Sequence, residues 1–209
     1  MLAAFAHEGP GLDDIQRERA CHIAALGYVG FALDYHGELS PFPSRDRMMA
    51  RLDEPSASPM RIRALGHAAL DVVLAEPPVD PHRVAAIGYC YGATVALELR
   101  RSGADLRALV GFHPGLRTIR PGDAANITGR VLMPIGADDP IIPIEHRIEF
   151  EQEMRNGRVD WQMRLYGGVL HSFTHRRASD AGLPGITYDQ AASTHAWSAM
   201  TALLEEVFA

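Results

Sequence analysis

A cysteine stands at the centre of residues 88–92, which read Gly-Tyr-Cys-Tyr-Gly. Apolar runs at 84–87 and 93–97 flank this segment, so it is predicted to be a tight turn from a strand into a helix. The two glycines permit a sharp reversal and close packing of the neighbouring elements. Cys90 would then occupy a strained turn at a helix N-terminus, where the helix dipole favours a thiolate. We therefore take Cys90 as the candidate nucleophile; the alternative is a small buried core residue.

A nucleophilic thiol needs a base for its proton, an acid that orients the base, and N–H donors for the oxyanion. Two later segments offer the acid and the base, each directly after a predicted strand. The strand at 130–135 is followed by the adjacent carboxylates Asp138 and Asp139, and the strand at 159–165 is followed by His171. Nucleophile, acid and histidine in this chain order are typical of α/β-hydrolases. One of the two aspartates is thus the candidate acid, and His171 is the candidate base.

Three motifs together resemble those of the dienelactone hydrolase family. They are the cysteine elbow at 88–92, the acid loop Gly-Ala-Asp-Asp-Pro-Ile-Ile-Pro at 136–143, and His-Ser-Phe at 171–173. The resemblance covers nearly the whole chain and puts Asp139 in the acid position. In the alternative assignment, Asp138 takes the catalytic place and Asp139 caps the next turn. The resemblance implies an α/β-hydrolase fold and a hydrolase of small esters or lactones that uses a Cys-His-Asp triad.

The same resemblance implies further roles beside the elbow. Glu8 corresponds to an extra carboxylate that pairs with the resting thiol, and the backbone N–H groups of Gly9 and Tyr91 correspond to the oxyanion hole. A helix N-terminus does offer unpaired N–H groups where negative charge develops. Alternatively, Glu8 is a loop acid that caps the following helix. No metal ion or organic cofactor is expected.

The expected substrate contacts depart from the family pattern. The family holds a substrate carboxylate with arginines, one of them four residues after the catalytic histidine, and that position here is His175. The change leaves the natural ester or lactone open. Arg176 and His175 are candidate substrate ligands, with Arg61 and Arg63 as further candidates; the alternative for each is a solvated surface charge.

Strand-like and helix-like segments alternate along the chain, which predicts a mostly parallel central sheet with helices on both faces. We expect a single α/β-hydrolase domain over residues 1–209. The segment at 39–59, which contains four prolines and the Met48-Met49 pair, is predicted to be irregular and to cover the pocket. The strands are predicted at 2–6, 28–33, 83–87, 106–112, 130–135 and 159–165, and the helices at 12–26, 61–75, 93–101, 145–155 and 190–208.

The amino-acid composition and the charge argue against some classes of binding partner. The chain has 209 residues, of which 47% are hydrophobic, and this is enough for a large core. Its formal net charge of −6 does not favour binding to nucleic acid, which requires basic surface. No apolar run is long enough to span a membrane, and the N-terminus lacks the basic region of a signal peptide. The two cysteines favour a reducing, cytoplasmic setting, with Cys21 expected in the helical core.

Two further expectations concern assembly and function. Family members usually have strands before the one at 2–6, so either an earlier segment is absent or the sheet lacks an edge, which a second copy could cover in a homodimer. The alternative function is a non-hydrolytic protein with an oxidation-sensitive Cys90, since an activated thiol also favours sulfenic acid formation.

Overall fold

The computed structural model describes residues 1–38, 41–56, 58–77 and 79–209. Within them, the strands form one sheet in the order β2-β1-β3-β4-β5-β6, and every neighbouring pair is parallel. The predicted parallel α/β sheet is therefore confirmed. The strands are β1 Leu2–Ala6, β2 Val29–Leu33, β3 Val84–Tyr89, β4 Ala108–Phe112, β5 Arg130–Gly136 and β6 Asp160–Tyr166.

Helices cover both faces of the sheet, as the alternation of segments predicts. Helices α1 and α6 pack on one face through Ile23 and Met200, which join the same apolar cluster as Ile87 of β3. Helices α3, α4 and α5 pack on the other face, where Phe150 contributes to the core. The helices are α1 Asp14–Ala25, α2 Arg45–Ser56, α3 Pro59–Leu74, α4 Tyr91–Arg101, α5 Ile144–Asn156 and α6 Gln190–Phe208, with short 3-10 turns at Pro121–Asn126 and Ala178–Ala181.

The prediction of an irregular segment at 39–59 is wrong for most of its length, because α2 occupies Arg45–Ser56. The prolines suggested a loop, but Pro59 is the first residue of α3, where a missing N–H costs nothing. Ser44 supports the start of α2, since its hydroxyl accepts a hydrogen bond from the Arg47 amide at 3.3 Å. Residues 39, 40 and 57 of the predicted loop lie outside the described residues.

Cys21 is exposed, so its predicted place in the core is wrong. The buried stripe of α1 includes Ala20 and Ile23. Successive residues of an α-helix are rotated by about 100° about the helix axis. Cys21, the neighbour of Ala20, therefore points away from the sheet.

Strand β1 is paired on both sides, and β2 and β6 form the edges of the described sheet. The single domain over residues 1–209 and the homodimer stay predictions. Among the described helices, none combines the length and the apolar character that crossing a membrane requires.

Candidate active site

The turn between β3 and α4 has the strained form that the sequence predicts. Cys90 has φ +50° and ψ −116°, a conformation that costs a side-chain-bearing residue roughly 1–3 kcal/mol. The flanking glycines make the turn feasible: a Cβ at Gly92 would lie 2.6 Å from the carbonyl oxygen of Ala6, and one at Gly88 would lie 2.5 Å from the amide nitrogen of Ala93. The turn therefore presents Cys90 at the carboxyl edge of the sheet.

The structure brings Cys90, His171 and Asp139 into one hydrogen-bonded chain. His171 Nε2 lies 3.2 Å from Cys90 Sγ, and His171 Nδ1 lies 2.7 Å from Asp139 Oδ2. The other carboxylate oxygen of Asp139 accepts hydrogen bonds from the amides of Ile141 at 2.8 Å and Ile142 at 3.3 Å. The loop after β5 thus holds the carboxylate, and the carboxylate orients the imidazole. Its neighbour Asp138 is exposed instead.

The surroundings of His171 favour its charged form. Burial opposes protonation of the ring, but a thiolate at Cys90 and the hydrogen bond to Asp139 outweigh it and raise the pKa of His171 above its ordinary value. A protonated His171 beside a thiolate is the ion pair expected of an activated cysteine.

A second histidine, His113, lies beside the first and was not predicted from the sequence. It is fully buried at φ +41°, its ring lies 4.8 Å from that of His171 in an edge-to-face arrangement, and its Nε2 lies 3.1 Å from Thr174 Oγ1. Burial holds the pKa of His113 well below its ordinary value, so the ring is neutral. The sequence did contain a signal for His113, because this residue directly follows β4 and therefore lies at the same edge of the sheet as Cys90.

The donor set of this cluster is one that can bind a soft cation. One ligand atom each from Cys90, His113 and His171 lie within 4.8 Å of one another. Two imidazoles and a thiolate are ligands that zinc accepts. Within the same cluster, the 3.2 Å contact between Cys90 and His171 is also short enough for proton transfer.

Glu8 is buried close to the elbow. Its Oε2 accepts a hydrogen bond from the Ser172 hydroxyl at 3.1 Å, and its Oε1 lies 4.0 Å from a guanidinium nitrogen of Arg19. The carboxyl lines the same cavity as Cys90 but is not hydrogen-bonded to the thiol in this arrangement. The alternative role as a helix cap is wrong, because Asp13 caps α1.

The predicted oxyanion donors also lie at this edge. Tyr91 is the first residue of α4, and Gly9 lines the cavity next to Cys90. Tyr35 stabilises the loop that carries Gly9. Its hydroxyl donates to the His7 carbonyl oxygen at 2.8 Å, and its ring stacks on the His7 imidazole at a centroid distance of 3.9 Å. Burial lowers the pKa of His7 to about 4, so this support is uncharged at neutral pH.

Of the predicted substrate ligands, the structure brings His175 to the cavity. His175 Nε2 lies 2.9 Å from Asp13 Oδ2, and Arg177, which was not predicted, donates to the same oxygen at 3.2 Å and also lines the cavity. Arg176 is directed elsewhere, pairs with Glu18 and lines a separate depression.

The two candidates on α3 also lie away from the cavity. Arg63 is buried and binds Glu98 at 2.9 Å and Asp123 at 2.7 Å, so it serves a structural ion-pair network. Arg61 is an exposed residue of the same helix and does not line the cavity.

A cavity of about 330 Å³ opens at Cys90 and His171. Its walls are largely apolar, and α2 supplies part of them, in agreement with the prediction that the segment at 39–59 covers the pocket. The apolar side chains that line it include Met48, Met49, Leu52, Ile141, Leu183 and Ile186.

The parallel sheet, the strained cysteine elbow and the histidine beside it define an α/β-hydrolase. A family model described as "Dienelactone hydrolase family" matches residues 5–208, and the chain belongs to that family. Membership makes the protein a hydrolase that acts on ester or lactone bonds.

Solved structures and curated proteins agree with this assignment. The chain is similar to the structure titled "m3DLH", with 42% identity, a TM-score of 0.94 and coverage of 99% of this chain and 86% of that one. It is also similar to a dienelactone hydrolase-like promiscuous phosphotriesterase, P91, from metagenomic libraries, with 38% identity, a TM-score of 0.93 and coverage of 98% and 85%. A probable 2-oxo-3-(5-oxofuran-2-ylidene)propanoate lactonase of Bradyrhizobium sp is 26% identical over 83% of this chain and 73% of its own.

Proposed function

We propose that the protein is a cysteine-dependent hydrolase of small esters or lactones in which Cys90 is the nucleophile, His171 the base and Asp139 the orienting acid. The observation that supports this best is the continuous chain of contacts from Sγ through the imidazole to the carboxylate, at 3.2 and 2.7 Å. Both distances lie within the reach that proton transfer requires.

In the first half-reaction, His171 Nε2 holds the proton of the Cys90 thiol, and the thiolate attacks the ester carbonyl carbon. The π electron pair moves onto oxygen, where the N–H groups of Tyr91 and Gly9 stabilise the negative charge. When the oxyanion collapses, the bond to the leaving oxygen breaks. The alkoxide then takes the proton from Nε2, and an acyl thioester remains on Cys90.

In the second half-reaction, neutral His171 removes a proton from water, and the hydroxide attacks the thioester carbonyl. Collapse of this second intermediate breaks the carbon–sulfur bond and releases the acid, with Cys90 again a thiolate and His171 again protonated. For a lactone the leaving alkoxide belongs to the same molecule as the acyl group, so one hydroxy acid is the product. Asp139 stabilises the imidazolium in both halves.

Within this proposal Glu8 keeps its predicted role as a partner of the thiol in the form of the resting enzyme in which the proton is on sulfur and not on His171. Its carboxyl would have to turn from Ser172 toward Sγ to make that contact. We expect Glu8→Gln to change the rate at which iodoacetamide alkylates the resting enzyme more than it changes the rate of deacylation.

The test compares the two cysteines of the chain. We expect Cys90→Ala to reduce turnover of a para-nitrophenyl ester by about 10³-fold or more, since the residual rate comes from oxyanion stabilisation and binding alone. Cys21→Ser is the matched control, because Cys21 is an exposed residue of α1, and it should retain wild-type turnover. Mass spectrometry of the quenched enzyme should show an acyl group on Cys90.

The redox-sensitive alternative makes the opposite prediction. It requires that Cys90 be alkylated readily while no ester is turned over. The family assignment and the Asp139–His171 contact favour hydrolysis, because a thiol sensor has no need of a proton shuttle.

A further inference from the structure

We propose that the Cys90 cavity selects uncharged, apolar esters and lactones and discriminates against substrates that carry a carboxylate. The inference rests on the proposed function and names the substrate class of the same site. It follows from the chemistry of the cavity walls and from how the nearby cations are already bound.

The walls offer mainly hydrocarbon and thioether surface. Met48 and Leu52 of α2 form one side, and Ile141 and Ile186 form part of the remainder. Burial of an apolar acyl group against such a surface yields about 25 cal/mol per Å². A carboxylate in the same place would lose its hydration without gaining donors.

The His175 imidazole and the Arg177 guanidinium at the cavity share one carboxylate. His175 Nε2 and Arg177 Nη2 both contact Asp13 Oδ2, at 2.9 and 3.2 Å, and the other oxygen of Asp13 accepts the Gln16 amide at 3.0 Å. Burial opposes ionisation of Asp13, but the hydrogen bonds from His175 and Gln16 outweigh it and lower its pKa to about 2. Asp13 is therefore negative at neutral pH and competes directly with a substrate carboxylate.

The other charged side of the cavity is acidic. Glu8 lines it, and the buried Arg19 lies 4.0 Å from Glu8 Oε1. Arg19 is held by three further contacts: it donates to the Thr174 carbonyl oxygen at 2.6 Å and to Gln16 Oε1 at 3.0 Å, and it stacks on the Tyr89 ring at 3.7 Å. Among the described residues around the cavity, Arg19 lies 4.0 Å from Glu8, and His175 and Arg177 share the carboxylate of Asp13. A carboxylate from the substrate would therefore have to compete with a protein carboxylate for each of these three groups.

Helix α2 gives the apolar wall a fixed place relative to the reacting carbonyl. A Cβ at Gly9 would lie 3.0 Å from Leu52 Cδ1 and 3.3 Å from Met48 Sδ. The side chains of α2 therefore lie directly against the loop of the proposed oxyanion donor. A substrate whose carbonyl oxygen reaches Gly9 places its nearest substituent against these two side chains.

The experiment uses two esters that differ only at the end of the acyl chain: para-nitrophenyl hexanoate and the mono-para-nitrophenyl ester of adipic acid, where a carboxylate replaces the terminal methyl. We expect the wild-type kcat/KM to be at least about tenfold higher for the hexanoate. A wild-type preference for the adipate ester would overturn the proposal, and this comparison needs no variant.

Asp13→Asn tests whether the negative charge of Asp13 causes the discrimination against a substrate carboxylate. Asparagine preserves the helix cap but removes the competing charge, and we expect the hexanoate-to-adipate ratio of kcat/KM to fall by about fivefold. Glu18→Gln is the matched control, since Glu18 is an acid of α1 that pairs with Arg176 outside this cavity, and its ratio should equal that of the wild type. An unchanged ratio in a folded Asp13→Asn enzyme would contradict the proposal. Failure to hydrolyse either ester, or full activity of Cys90→Ala, would instead count against the proposed function.

Discussion

His171 Nε2 lies 3.2 Å from Cys90 Sγ, although 81 positions separate the two residues in the chain. Cys90 directly follows the central strand β3, whereas His171 lies beyond the edge strand β6 and pairs in a short parallel bridge with Ile186. The loop after β6 therefore reaches back over the sheet and is held there by its own backbone contacts. The proposed reactivity of Cys90 depends on this position of the loop that carries His171.

Asp139 and Asp138 are adjacent carboxylates with opposite surroundings, which makes them a matched pair for mutagenesis. We expect Asp139→Asn to lower kcat by about 10²–10⁴-fold, because the amide no longer stabilises the imidazolium or selects the productive tautomer. Asp138→Asn should leave kcat within about twofold of the wild type, since Asp138 is exposed. Steady-state kinetics with one neutral ester decide the matter, and an equal loss in both variants would contradict the assignment.

The raised pKa of His171 predicts a distinctive pH dependence. The protonated ring stabilises the thiolate at every pH below that raised pKa, and this stabilisation is lost as the pH rises through it. We expect iodoacetamide to react with Cys90 at a nearly constant rate between pH 6 and pH 8, whereas an ordinary thiol becomes about tenfold slower for each unit below its pKa of about 8.5.

The measurement is made in a Cys21→Ser background, so that the exposed second thiol does not contribute. His171→Gln should restore the steep pH dependence of an ordinary thiol. A steep dependence already present in the parent enzyme would show that the ion pair does not form.

Arg101 provides a stability test away from the active site. It is fully buried, donates to both carboxylate oxygens of Glu153 at 2.8 and 2.6 Å, and binds Glu98 at 2.8 Å. We expect Arg101→Met to lower the free energy of unfolding by about 3–5 kcal/mol, because it removes the guanidinium that pairs with both oxygens of the buried Glu153 carboxylate.

Arg155→Met is the control for this change in urea denaturation. Arg155 pairs with Glu151 on the exposed side of α5 at 3.0 Å, and loss of such a pair costs about 0–1 kcal/mol. Equal effects of the two substitutions would contradict the role assigned to the buried network.

Met48 predicts a change in acyl-chain preference. Met48→Ala removes part of the α2 wall next to Gly9, so we expect the optimum chain length in a series of para-nitrophenyl esters to increase by two or more carbons, at roughly 0.8 kcal/mol for each buried methylene. Met60→Ala is the matched control on α3, where the methionine is 63% exposed, and it should leave the optimum in place. A profile unchanged in both variants would show that α2 does not contact the acyl chain.

Much of the framework was open to prediction because it depends on local pattern. Strand β1 at Leu2–Ala6 and helix α6 at Gln190–Phe208 have the predicted bounds, since apolar periodicity and helix caps are local properties. The prediction failed at α2, where prolines at the helix boundaries resembled a loop, and at Cys21, where the helical phase relative to the sheet was not evident from composition.

The sequence by itself determined the nucleophile turn, the parallel sheet and the motifs of the dienelactone hydrolase family, because each depends on residue type over a short stretch. Only the tertiary structure decided which carboxylate contacts His171, that His113 lies beside it, and that Asp13 engages His175 and Arg177 at 2.9 and 3.2 Å. These contacts join segments far apart in the chain, and the packing of helices and returning loops on the sheet sets their partners. Motif spacing therefore predicts the chemistry, whereas packing decides the charge balance that a substrate meets.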